Sequence, residues 1–184
     1  MRNIALSINV VEATLNGTII SGKGTFGKNN DPIEFTSSKF LENVIKPNAT
    51  IVAVGMLTSN VVDNFTALSL KITQAGVVPT GTLINSISVL GRASADPVVS
   101  ATKDNEDITK FSLAVKAGKD ITNWYAIAAF GKTGEILKNF VVKGKEVALS
   151  GRIGLSTWKN KETGAQCSKL ELTADSVTLI SSKQ

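Results

Sequence analysis

Residues with the types and spacing for recognition chemistry lie in Thr122–Lys132, TNWYAIAAFGK. Alternate residues of a strand point to opposite faces. Such a strand puts Trp124, Ala126, Ala128 and Phe130 on one side, and Tyr125, Ile127 and Ala129 on the other. The first side carries a large ring at each end of a floor of methyl groups. At about 3.3 Å per residue the rings sit roughly 20 Å apart, room for something planar laid across the strip. In an average protein both rings would be core residues. The neighbouring stretches shift that balance.

On Ile108–Lys116, Phe111, Leu113 and Val115 form an apolar face, opposite Lys110, Ser112, Ala114 and Lys116. On Glu146–Trp158, Val147, Leu149, Gly151, Ile153 and Leu155 face one way; Ala148, Ser150, Arg152, Ser156 and Trp158 face the other. Aligning the non-core faces gives a groove with Trp124, Phe130 and Trp158, flanked by Lys110, Lys116, Lys132 and Arg152. Arg92, at the end of Ile87–Arg92, completes the candidate set. Rings that stack bases and cations that hold phosphates are the two requirements for binding single-stranded nucleic acid without regard to sequence. Trp158 sits beside Lys159, Asn160 and Lys161 near a turn, a poor place to bury an indole. Phe140 reads as core, closing a helix with Ile136 and Leu137, and Tyr125 as core or interface.

Catalysis finds little support. The chain has no histidine, the commonest general base and metal ligand. Its one cysteine, Cys167, has no imidazole to activate it and no partner for an internal disulfide. Asp104, Glu106 and Asp107 read as a solvated loop. Gly22–Asn29, GKGTFGKN, imitates phosphate-cradling signatures, but NNDP follows where a helix would have to begin. No enzyme, metal or cofactor is expected. The net charge of +5 allows a polyanionic partner. No apolar run reaches membrane-spanning length and no signal peptide is apparent, so a cytoplasmic, membrane-free protein is expected.

Most of the sequence reads as strands, with period-two alternation and Gly, Asn and Asp punctuation. In the first half these are Ile4–Leu15, Thr18–Phe26, Pro32–Thr36, Thr50–Val62 and Thr66–Thr73, with a helix over Ser38–Ile45. Asn16-Gly17 joins the first two as a hairpin. Ala75–Thr82, AGVVPTGT, reads as a linker. The second half repeats the order, with strands at Ile87–Arg92 (extended by Val98–Thr102), Ile108–Lys116, Ile121–Phe130, Glu146–Trp158 and Lys169–Ile180, and a helix over Thr133–Phe140. Aligning FTSSKFLENVIKPNATIVAVGML with FGKTGEILKNFVVKGKEVALSGRI pairs Phe35 with Phe130 and Gly55 with Gly151. Three strands, a helix and two strands, twice, is the order of an OB-fold barrel. The expectation is an all-β chain with one short helix per unit, as two tandem OB-fold barrels over residues 1–79 and 82–184 from an internal duplication.

The pieces NSISVLGRASADPVV, KFSLAV, TNWYAIAAFGK, KGKEVALSGRIGLSTW and KLELTADSVTLI, in that order, resemble the bacterial single-stranded DNA-binding protein family over roughly the last 100 residues, a common domain length. The resemblance implies an OB barrel that stacks bases on aromatic rings, with Trp124, Phe130 and Trp158 at stacking positions, Lys132 after the same motif and Phe140 at the aromatic position ending the helix. It also implies a homodimer bringing four barrels together, and single-stranded DNA, with RNA possible, as partner. The loop KAGKD lacks the ring the family often has there. The chain ends Leu179-Ile180-Ser181-Ser182-Lys183-Gln184, so a form without the family's acidic tail is expected. The stretch to Gly81 has six basic and five acidic residues and no Trp or Tyr, with Asn29 or Asn30 in the place of Trp124 and Val62 in that of Trp158. It reads as mainly a structural partner, with Lys23 and Lys28 available to phosphate. Two other readings stay open: an accessory OB protein of replication restart or recombination, and a structural oligomerisation module.

Overall fold

The computed structural model describes residues 3–180. Residues 1–2 and 181–184 lie outside the described residues, and with them the end at which the acidic tail is expected to be missing. The chain divides into two compact units. The N-terminal unit is Asn3–Ser86 together with Trp158–Ser168; the C-terminal unit, among the described residues, is Ile87–Thr157 with 169–180.

The N-terminal unit contains β1 (Asn3–Asn16), β2 (Ile19–Phe26), β3 (Asp31–Ser38), β4 (Thr50–Val62) and β5 (Phe65–Val77). Antiparallel β1–β2, β2–β3, β4–β5 and β1–β4 pairings and one parallel β3–β5 pairing form a closed circuit. Strict alternation on β3, buried at Asp31, Ile33, Phe35 and Ser37, shows one face turned to a core that includes Ile4, Leu6, Ile8, Phe26 and Leu70. Gly22 and Gly24 of the phosphate-loop lookalike lie inside β2, and β3 rather than a helix follows. Asp63 and Asn64, both left-handed, turn β4 into β5 in the manner of a type I′ hairpin. Beside that turn, the Thr66 amide donates to Ser168 Oγ at 2.7 Å and the Thr66 hydroxyl to the Ser168 carbonyl at 2.9 Å. The Ser168 amide donates to the Asn64 carbonyl at 3.0 Å. This clasp assigns Trp158–Ser168 to the N-terminal unit.

Two expectations fail here. The helix over 38–45 is a single 3-10 turn, Lys39–Leu41. Ser38 makes no side-chain cap, and Pro47 leaves too few residues to offset the cost of helix nucleation. The stretch 75–82 is not all linker, since β5 runs to Val77. Beyond it, Ile84 exchanges hydrogen bonds with Ser7, the amides donating to the Ile84 carbonyl at 2.7 Å and to Ser7 Oγ at 2.9 Å.

The C-terminal unit holds β7 (Val98–Ala101), β8 (Asp107–Lys116), β9 (Thr122–Phe130), α1 (Gly131–Phe140) and most of β6 (Asn85–Ala93), β10 (Glu146–Lys159) and β11 (Gln166–Leu179), whose first or last residues fall in the N-terminal unit. Its circuit runs β6–β10–β11–β9–β8 and back to β6, with β9–β11 parallel and β7 paired to the free edge of β8. The result is an all-β fold with a closed five-stranded barrel and one helix. Thr109 Oγ1 donates to the Gly134 carbonyl at 3.0 Å, and a Cβ on Gly134 would stand 2.8 Å from the Ala129 carbonyl oxygen. The first turn of α1 thus lies directly on the end of β9. Phe140, expected in the core, is 58% exposed. The helix stops there, and Val141, one helical turn beyond Leu137, takes the inward place.

Glycines 55 and 151 fix how the two circuits correspond. A Cβ on Gly55 would meet the Lys71 carbonyl oxygen at 2.2 Å, and one on Gly151 the Thr173 carbonyl oxygen at 2.0 Å. The parallel pairs Thr36–Lys71 and Ala128–Thr173 then coincide. Phe35 therefore corresponds to Ile127, both buried, and not to Phe130. Pro32, Glu34, Thr36 and Ser38 stand where the C-terminal unit has Trp124, Ala126, Ala128 and Phe130. Hence Pro32, and neither Asn29 nor Asn30, replaces Trp124.

Candidate nucleic-acid interface

β9 positions the two rings through simple alternation. Asn123, Tyr125, Ile127 and Ala129 turn inward, and Asn123 Nδ2 donates to the Tyr125 hydroxyl at 3.4 Å inside the barrel. Trp124 and Phe130 turn outward, 55% and 41% exposed, at the two ends of the strand. Between them Ala126 is half-buried and Ala128 buried, so the strip is floored by small side chains.

Neighbouring strands surround the strip in register. Ala114 of β8 is directly opposite Trp124, and Arg92 of β6 directly opposite Ala114. Arg92, Ala114 and Trp124 therefore form one row across three strands. At about 4.8 Å per strand the outer two Cα atoms are about 10 Å apart. Lys116 lies diagonal to Trp124, and Lys110 opposite Ala128. Lys110 and Lys116 are exposed, as is Lys132 in the first turn of α1. None of the three forms an ion pair among the described residues.

The other side of the strip is acidic, a feature the sequence reading missed. β11 runs parallel to β9 with Glu171 opposite Ala126 and Thr173 opposite Ala128. One residue beyond the Ala129–Ala174 pair, Asp175 stands level with Phe130. The alternation of KLELTAD already turns Glu171, Thr173 and Asp175 outward. What the sequence lacked was the parallel pairing that puts them beside the rings. Both candidate arginines have carboxylate partners. Arg152 Nη2 donates to Asp175 Oδ1 at 3.0 Å, and Arg92 lies 3.9 Å from Glu146.

Trp158 is 46% exposed and belongs to the N-terminal unit through the β10–β11 turn region. Trp124, Phe130, Lys110, Lys116, Lys132, Arg92 and Arg152 all belong to the C-terminal unit; the first four and Arg92 lie in register on β9, β8 and β6, Lys132 is in the first turn of α1, and Arg152 on β10 reaches the strip only through Asp175. In the N-terminal unit Lys23 lies 3.7 Å from Glu12. No helix among the described residues is long and apolar enough to cross a membrane.

Residues 84–180 match the model of the single-strand binding protein family. The chain belongs to that family. Its relatives include single-stranded DNA-binding protein 1 of Synechocystis sp., 31% identical over 105 residues that make up 55% of this chain and 87% of the relative. The single-stranded DNA-binding protein of Caldanaerobacter subterraneus is 32% identical over 107 residues, 55% of this chain and 71% of its own. That of Treponema pallidum is 30% identical over 106 residues, but only 59% of its length is matched. The matched family region coincides with the barrel that carries β9. Membership makes this a non-enzymatic protein whose function is to bind single-stranded DNA. The crystal structure of the wild-type single-stranded DNA binding protein from Thermus aquaticus aligns with 100% of this chain and 95% of its own at a TM-score of 0.68. A deletion mutant of that protein gives 0.69. Identities of 11% and 12% make this a likeness of fold.

Proposed function

We propose that the chain is a tandem pair of OB-fold barrels whose C-terminal member stacks the bases of single-stranded DNA on Trp124 and Phe130 without regard to sequence. Trp158 supplies a further ring. The observation that carries this is the single row Arg92–Ala114–Trp124: a half-exposed indole over a methyl floor, with a cation two strands away. An outward indole beside alanines offers its face to a planar ring. Each stacked base contributes about 1–3 kcal/mol.

Charge sets which way the strand lies. Lys110 and Lys116 line the β8 side of the strip, and Glu171 and Asp175 the β11 side. Phosphates are drawn to the first and repelled from the second, so the backbone runs along β8 with its bases turned toward β9. Lys132 takes a phosphate at the Phe130 end. Stacking accepts any base, so RNA binds through the same rings.

The closed circuits with matching registers at Gly55 and Gly151 support the duplicated architecture. In the N-terminal barrel, Pro32, Glu34, Thr36 and Ser38 leave the corresponding strip without a ring and with one carboxylate, which supports a mainly structural role for that face. A homodimer presenting four barrels is the assembly that the family resemblance implies, and sedimentation equilibrium tests it. The stacking assignment is tested with Trp124→Ala. Affinity for oligo-dT falls about fivefold or more while the melting temperature stays within about 2 °C, because the side chain is more than half exposed. Unchanged affinity would remove Trp124 from the interface.

A further inference from the structure

Phe40, in the 3-10 turn after β3, is 96% exposed, the most exposed of the large apolar side chains among the described residues. The turn that carries it is well fixed. The Lys39 amide donates to the Thr18 carbonyl at 2.9 Å, the Ile45 amide to the Leu41 carbonyl at 2.9 Å, and Ile45 is buried. Phe40 thus stands on an anchored support, at one wall of a cleft of about 1040 Å³. Ile19, Ser38, Lys39, Lys71 and Thr73 also line the cleft, with Glu42 as the one carboxylate. Lys39 and Lys71 form no ion pair among the described residues.

The place of this cleft in its barrel matters. By the Gly55–Gly151 correspondence, Ser38 stands where the C-terminal barrel has Phe130, and Phe40 two residues further on. Ile19 corresponds to Ile108, Lys71 to Thr173 and Thr73 to Asp175. The N-terminal barrel therefore has a ring at the same corner, displaced from the strand end into the turn. That corner has a lysine and a threonine where the other barrel has a threonine and an aspartate.

We infer that Phe40 with Lys39 and Lys71 is a second, separate contact for single-stranded nucleic acid, one base stacking on the Phe40 ring while the two ammonium groups hold its flanking phosphates. The inference rests on the proposed stacking function and extends it to the barrel whose β3 strip is bare. At about 1040 Å³ the cleft is at the upper end of small-molecule pocket volumes, room enough for a nucleotide. Hydroxyls of Thr18, Thr36 and Ser38 offer hydrogen bonds to a base edge that differ little among the four bases.

The direct test is Phe40→Trp in a Trp124→Phe, Trp158→Phe background, which leaves one indole at the site and keeps a ring at each replaced position. Poly(dT) quenches its emission, and high salt restores it. Emission unchanged by poly(dT), while a labelled poly(dT) still binds by anisotropy, overturns the inference. In the natural background, Phe40→Ala lowers affinity for poly(dT) about fivefold or more, and Lys39→Ala with Lys71→Ala flattens the log–log salt dependence by about 1.4. Wild-type behaviour of both variants overturns it equally. If the wild-type chain does not bind poly(dT) at all, the stacking function itself fails and this contact with it. If the wild type binds and Trp124→Ala weakens it while Phe40→Ala does not, only this contact fails.

Discussion

Asp175→Asn is expected to tighten DNA binding, an uncommon direction for a substitution at an interface. Arg152 donates to Asp175 at 3.0 Å, and the two side chains are 57% and 54% exposed. Such an exposed pair contributes about 0–1 kcal/mol, and asparagine keeps the oxygen that accepts from Arg152, so stability changes little. What changes is charge beside Phe130. The carboxylate that neutralises the guanidinium and repels phosphate is gone, so at the Phe130 end, where the backbone leaves β8 and Lys132 takes a phosphate, Arg152 can draw in about one more. One added contact steepens the log–log salt slope by about 0.7. Between about 200 and about 50 mM salt, a fourfold step, the ratio of variant to wild-type affinity then rises by about 2.6-fold. Oligo-dT titrations at several salt concentrations, followed by fluorescence anisotropy, measure both slope and ratio. An unchanged slope, or weaker binding at every salt concentration, would show that Arg152 and Asp175 lie away from the path of the DNA.

Phe130→Ala should weaken oligo-dT binding less than Trp124→Ala, since the phenyl ring is smaller and 41% exposed against 55%; anisotropy titration ranks the two. Gly151→Ala should destabilise the chain by about 1–3 kcal/mol or more in chemical denaturation, because its Cβ would fall 2.0 Å from a backbone oxygen that cannot rotate away. Ser168→Ala removes the acceptor of the buried Thr66 amide and should cost about 1–3 kcal/mol on the same assay. Glu171→Lys, reversing a charge opposite Ala126, should strengthen binding at low salt and shift the oligo-dT salt slope by about 0.7.

Strand parity was the legible part of this sequence. The alternation of NWYAIAAF is enough to send Trp124 and Phe130 outward and Tyr125 and Ile127 inward, because a pleated strand leaves no other choice. The same rule places Lys110, Lys116 and Arg152 outside. Properties that depend on pairing between distant strands were not legible. Glu171 and Asp175 sit beside the rings only because β11 runs parallel to β9, across a connection that no local pattern encodes. Phe35 and Phe130 share a residue type, but the tight approaches at Gly55 and Gly151 align Phe35 with Ile127. Residues 38–45 look helical, yet are too few to nucleate a helix, and their collapse to one turn turns Phe40 out into solvent. Within the N-terminal unit, Thr66 and Ser168 are hydrogen-bonded although they are about 100 residues apart in sequence. Removal of the first 80 residues would strip Ser168 of these partners, so point substitutions on each strip are the cleaner probe of which unit binds.

Titration of the intact chain with oligo-dT while following tryptophan emission tests the base-stacking claim most directly, because Trp124 and Trp158 are the only two indoles. The account predicts saturable quenching of most of the emission, reversed by salt with a log–log slope of about −0.7 for each phosphate held. DNA binding detected by anisotropy with the emission left unquenched would contradict it.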